Sequence, residues 1–158
     1  MTKRKEDRLR LVTYCGLYCG LCSSRNRIPQ QAKALKQTMK QEGWELWGSE
    51  IPRFKEFWKF LDGLTRGACP GCRAGGGPPF CGIRKCARKR KVEICVYCPD
   101  WPCPRIERLA KGYVTLIADG LRLKRIGLDK WLKEQEARQQ TGFCYCDIRC
   151  YPYTVPKK

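Results

Sequence analysis

Apolar residues return every three or four positions in several stretches of the chain, and this spacing predicts helices. Over residues 29–42, Ala32, Leu35 and Met39 share one face, while Lys33, Lys36 and Lys40 share the solvated one. Pro29 suits the first turn of that helix and Gly43 its end. The strongest amphipathic pattern covers 50–64, with Ile51, Phe54, Phe57, Trp58, Leu61 and Leu64 in register. Ser49 is its expected N-cap and Pro52 falls in its first turn. An aromatic stripe at this spacing reads as core. Pro104 opens another helix with Ile106, Leu109, Ala110 and Tyr113 on one side. Residues 114–124 continue it or restart after Gly112. Leu128, Trp131 and Leu132 mark a last helix ending near Gly142, with Glu134 and Arg138 as an i,i+4 pair. Only Leu9-Arg10-Leu11-Val12 alternates, and it predicts a brief strand.

Between these helices lie segments rich in sulfur and poor in apolar runs. The chain has 13 cysteines and no histidine. Seven of them, Cys69, Cys72, Cys81, Cys86, Cys95, Cys98 and Cys103, fall in one stretch. Cys15, Cys19 and Cys22 precede it in a C-x3-C-x2-C pattern, with Gly16 and Gly20 allowing backbone N–H groups to turn toward sulfur. Such a stretch gains little from apolar burial, so bound metal would have to supply its folding free energy. The expected fold is therefore mainly α: a small, irregular, metal-stabilised domain of short helices around cysteine-rich loops, with little or no β-sheet. Residues 1–158 are expected to form one domain, with a flexible basic start over 1–8 and a flexible tail over 151–158.

The odd cysteine count, the C-x-x-C spacings and the absence of an apolar leader in 1–8 argue against a disulfide scaffold. They predict thiolate ligation in a reducing compartment, hence a cytoplasmic protein. No apolar run is long enough to span a membrane. Without histidine, Cys/His zinc fingers and histidine acid–base chemistry are excluded. No nucleophile or acid–base set accompanies the thiols, so a non-enzymatic role is favoured.

Cys69-Pro70-Gly71-Cys72 is a tight knuckle of the kind that suits tetrahedral zinc or a single iron. Cys15/Cys19/Cys22 and Cys95/Cys98/Cys103 suit cluster ligation, each triplet joined by a ligand distant in sequence. The first spacing also binds the cluster of radical S-adenosylmethionine enzymes, but no strand–helix alternation follows here. Cys144, Cys146 and Cys150 form a weaker C-x-C-x3-C set. They ligate a further metal, complete the first triplet, serve redox chemistry or stand as free thiols at a chain end, and side chains two apart diverge in extended chain. The Gly75-Gly76-Gly77-Pro78-Pro79 loop lacks the Lys-Ser/Thr of a phosphate-binding loop.

The formal charge is +18. Three four-thiolate sites would lower it only to about +12. Arg84, Lys85, Arg88, Lys89, Arg90 and Lys91 form the densest basic run, on a predicted short helix. It offers a surface for an acidic protein or for nucleic acid, or it keeps nearby thiolates ionised.

The ordered motifs resemble those of the prokaryotic cysteine-rich "domain of unknown function 3795" family. They are Tyr14-Cys15-Gly16-Leu17-Tyr18-Cys19-Gly20-Leu21-Cys22, Cys69-Pro70-Gly71-Cys72-Arg73, Cys81-Gly82-Ile83-Arg84-Lys85-Cys86-Ala87 and Cys95-Val96-Tyr97-Cys98-Pro99-Asp100-Trp101-Pro102-Cys103. The resemblance implies metal binding, and the family's frequency in anaerobes implies iron–sulfur clusters, with 4Fe-4S foremost and zinc as the alternative or an addition. The expected function is electron transfer or support of an anaerobic redox partner. The alternative is a basic module, stabilised by zinc in a four-thiolate site, that binds nucleic acid or an acidic protein.

Overall fold

The computed structural model describes residues 7, 9–67 and 69–148. It is mainly helical, and no strand or sheet occurs among the described residues. Cys150 and the segments 1–6 and 151–158 lie outside the described residues. The helices are α1 (Arg27–Gln41), α2 (Trp44–Trp47), α3 (Phe54–Thr65), α4 (Gly82–Lys89), α5 (Pro104–Ala110) and α6 (Leu116–Gln140). Contacts divide the chain into two compact units, Met1–Leu21 with Pro70–Lys158, and Cys22–Cys69.

The Cys22–Cys69 unit is a helical hairpin. α1 and α3 close on Ala32, Met39, Phe54 and Leu61, flanked by Trp44, Trp58 and Leu64. Phe54 stacks on Trp44 and Trp58 at centroid distances of 6.1 and 5.3 Å. Gly43 takes the left-handed conformation after α1 (φ 77°), as expected of a helix stop. Gly48 lies against the Phe54 ring, where a Cβ would come within 2.6 Å of it.

Several expectations for this unit are corrected. α3 starts at Phe54 rather than near 50, because Gly48–Glu50 forms a separate 3-10 turn and Arg53 turns left-handed (φ 65°) before it. Ser49 therefore caps nothing on α3. Ile51, Phe57 and Leu35 are exposed. Lys36 is not solvated: it pairs with Asp62 on α3 and lies over the Trp58 ring, while Lys40 pairs with Glu45. The Lys36 stem thus covers the helix interface, while Lys40 stays exposed as expected.

In the other unit, the core comprises Leu9, Val12, Tyr18, Leu21, Ile94, Val96, Leu123, Trp131 and Tyr145. The strand expected at Leu9–Val12 is not one: the chain turns at Leu9, and only a single bridge joins Val12 to Tyr18. Leu9 and Val12 are both buried, and their spacing of three fits a turn better than an alternating strand. α6 restarts after Gly112, as one of the two readings had it, and it breaks at Gly127 (φ 77°, ψ 165°). In a straight helix Asp119 and Arg138 would stand about 28 Å apart. Instead Arg138 donates to Asp119 at 3.1 Å, and Trp131 Nε1 donates to the Asp119 carbonyl at 3.1 Å. The two halves of α6 therefore double back on each other. This corrects the Glu134–Arg138 pairing: Glu134 binds Arg122 across the hairpin instead.

Candidate metal centre

Four cysteines from three local structures surround one cavity. Cys86 comes from the last turn of α4, Cys95 opens a 3-10 turn (Cys95–Tyr97), Cys98 follows that turn, and Cys103 stands at the N-terminal boundary of α5. Local hydrogen bonds set these positions. The Cys95 carbonyl accepts from Cys98 N–H, the Cys98 carbonyl from Trp101 N–H, and the Cys103 carbonyl from Ile106 and Glu107 N–H. Cys95 N–H donates to the Tyr14 carbonyl at 2.7 Å, which anchors the loop to the N-terminal segment.

The cavity encloses about 60 Å³, several times the space one water requires. Ala87, Val92 and Trp101 line it with apolar atoms, and Arg90, Asp100 and Arg105 supply its polar edge. Arg90 Nη1 reaches Cys98 Sγ at 3.4 Å and also pairs with Asp100. Asp100 and Cys98 together hold the guanidinium above its ordinary pKa. Burial pushes the Cys95 thiol up to about 12, and the neighbouring thiols of Cys15, Cys103, Cys86 and Cys98 add to the shift.

Cys15 belongs to a second grouping. Its thiol is raised to about 11, mainly by burial and further by Cys72 and Cys81; the Thr13 hydroxyl and the Leu17 N–H oppose the shift. Thr13 Oγ1 lies 3.0 Å from its sulfur. Arg73, next to Cys72, donates to the carbonyls of Leu9, Val12 and Glu93 and covers the Tyr14 ring. That ties the knuckle to the segment carrying Cys15. Cys81 caps α4 through its sulfur, which accepts from Arg84 N–H at 3.5 Å.

Arg84 departs from its expected surface role. It is 7% exposed, and its guanidinium donates to the carbonyls of Cys72, Gly76, Pro78 and Pro79. It knits the loop between Cys72 and Cys81. Lys85, Arg88, Lys89, Arg90 and Lys91 remain exposed, and Arg88 lies over Tyr14.

Cys19 is buried in the 3-10 turn Cys19–Leu21. Cys22 and Cys69 belong to the helical hairpin, where Arg25 joins them: its N–H donates to the Cys22 carbonyl at 3.0 Å and its Nη1 to the Cys69 carbonyl at 2.9 Å. Cys144 is buried and Cys146 exposed beside the 3-10 turn Tyr145–Asp147. Among the described residues, no three Cys, Asp or Glu side chains form a group that could grip a metal ion as they stand. The donor set around the cavity nonetheless fits an all-thiolate cluster in kind: four sulfurs, an apolar lining and a cation at the rim. Sequence reasoning missed the arginines. Arg73 and Arg84 satisfy backbone carbonyls inside loops, and an arginine in a basic run carries no mark that separates this role from a surface one.

A mainly helical chain with cysteines gathered on loops, short turns and helix ends is thus the class of protein that fold and site define. The chain belongs to the family described as "Protein of unknown function (DUF3795)", whose model matches residues 11–108. The family is cysteine-rich, and its cysteines are consistent with metal binding. No curated protein and no solved structure matches the chain. No helix among the described residues is long and apolar enough to cross a membrane.

Proposed function

We propose that this protein carries an iron–sulfur cluster, of the 4Fe-4S type, on Cys86, Cys95, Cys98 and Cys103, and serves electron transfer or a redox partner. One observation carries the reading: these four sulfurs line a single cavity. It also supplies the distant ligand that the triplet Cys95/Cys98/Cys103 needs, namely Cys86. When bound, the cluster would supply one-electron chemistry. Ala87, Val92 and Trp101 give the cavity an apolar lining, and Arg90 places a cation against the Cys98 sulfur. Cys15, Cys72 and Cys81 are the ligands proposed for a second site.

The partner is proposed to be an acidic protein. Lys85, Arg88, Lys89, Arg90 and Lys91 are exposed on and just after α4, which itself contributes Cys86. A docking partner would therefore meet positive charge beside the cluster, and association would be steered electrostatically.

Anaerobic purification tests the cofactor. The expected product is brown, holds about four irons and four acid-labile sulfides per occupied site, and loses a full site's complement in Cys86→Ser. A colourless protein with zinc alone would replace this reading with a structural module built on four-thiolate zinc.

A further inference from the structure

Cys144 and Cys146 lie beyond the family match, which ends at residue 108, and they line no part of the cavity described above. We propose that they form a redox-active dithiol that exchanges with small-molecule disulfides. Two residues apart in extended chain, their side chains would diverge. Here the chain bends. Cys144 is extended (φ −136°, ψ 145°), and Tyr145–Asp147 turns immediately into a 3-10 helix. The turn brings Cys146 Sγ to 3.2 Å from Cys144 Sγ. A disulfide bond needs about 2.05 Å, so closure is a movement of roughly 1 Å.

The turn is held on both sides. Asp147 accepts from Cys144 N–H at 2.9 Å, and the Asp147 N–H returns a bond to the Cys144 sulfur. Tyr145 is buried between the two cysteines in sequence. Its ring packs edge-on against Tyr113 and Phe143, and its hydroxyl accepts from Tyr18 N–H at 3.0 Å. The two sulfurs also differ in access: Cys146 is exposed, while Cys144 is 1% exposed. That asymmetry assigns the roles.

Cys146, as thiolate, attacks one sulfur of a disulfide R–S–S–R. A Cys146–S–S–R bond forms, the R–S–S–R bond breaks, and RS⁻ leaves and takes up the proton that Cys146 lost. Cys144 then attacks the Cys146 sulfur and expels the second RS⁻, which takes the Cys144 proton. The two cysteines are oxidised to one disulfide, and R–S–S–R is reduced to two RSH. A short ring closed between i and i+2, with the Cys146 sulfur exposed, belongs to the labile class of disulfides, readily reopened by a dithiol reductant.

Trypsin isolates the pair, because the fragment Gln139–Arg149 contains Cys144 and Cys146 and no other cysteine. The reduced full-length protein is incubated with glutathione disulfide, then blocked, digested and weighed. The expected fragment is lighter by two hydrogens, about 2 Da. Cys144→Ser should trap glutathione on Cys146, at least about ten-fold above the level in the unaltered protein. Cys146→Ser should take up little, because the remaining thiol is buried. Neither variant should change the iron content of anaerobically prepared protein. The proposal is overturned by a fragment that stays reduced, by one cross-linked through Cys150, by equal labelling of the two variants, or by loss of iron in either.

Discussion

At the scale of single residues, arginines organise the cysteine loops. Arg84 is itself buried and spends its donors on four carbonyls of the loop between Cys72 and Cys81. Arg84→Met should therefore destabilise the protein by about 2–4 kcal/mol, read by chemical denaturation. Arg84→Lys should recover little of this, because an ammonium cannot reproduce the planar fork. Arg90 acts differently, as a charge rather than a clamp. It touches the Cys98 sulfur from an exposed position, so Arg90→Gln should leave folding nearly unchanged. With a cluster bound, the same change should shift the reduction potential downward by tens of millivolts, since a positive charge and a donor to ligand sulfur are lost; an unmoved potential would place Arg90 outside the cluster's influence. The thiols give a sign for pH. Cys15 and Cys95 titrate near 11 and 12 in the metal-free fold, against an ordinary 9.0. Below pH 9 both states are protonated and the contribution is fully present. Above it the unfolded chain ionises first, so metal-free protein loses stability as pH rises from about 9 through 12. Metal loading should weaken that loss, because ligation requires the deprotonated thiols. Melting curves across this range, with and without metal, read the difference.

At the scale of elements, the helices were legible and their boundaries and faces less so. Periodicity located α1, α3, α5 and both halves of α6, because apolar spacing of three and four reports a buried face directly. It failed at Ser49–Arg53, where a left-handed Arg53 delays the helix: nothing in an arginine signals positive φ. It misassigned Lys36 for a related reason, since a long polar side chain can turn inward to a distant Asp62 that local pattern does not see. The gathering of Cys86 with Cys95, Cys98 and Cys103 around one cavity was not legible, because it depends on tertiary packing of α4 against α5. Gly127 offers a test of the α6 hairpin. Its φ of 77° with ψ of 165° is open only to glycine, and a Cβ there would meet nothing within 4 Å. Gly127→Ala should therefore cost about 1–3 kcal/mol from backbone strain alone. Gly48→Ala is the opposite case, a steric one: its Cβ would collide with the Phe54 ring, and the hairpin of α1 and α3 should lose about 1–3 kcal/mol by overpacking.

At the scale of the whole molecule, the net charge bears on the proposed partner, and the ends of the helical hairpin bear on what can be altered. The surface remains strongly basic at +18 before any ligation. Binding to an acidic partner should weaken steeply with salt, and reversing Lys85, Lys89 and Lys91 to glutamate should slow association far more than dissociation; stopped-flow association rates read this. The Arg25 bridge has a different consequence. One residue binds the carbonyl of Cys22 through its backbone N–H and that of Cys69 through its side chain, so the chain enters and leaves the helical hairpin through neighbouring points. A segment whose ends meet can be exchanged like a cassette. Replacing residues 23–68 by a few glycines and serines should leave the remainder able to fold, and hairpins of other lengths should be accepted at this doorway.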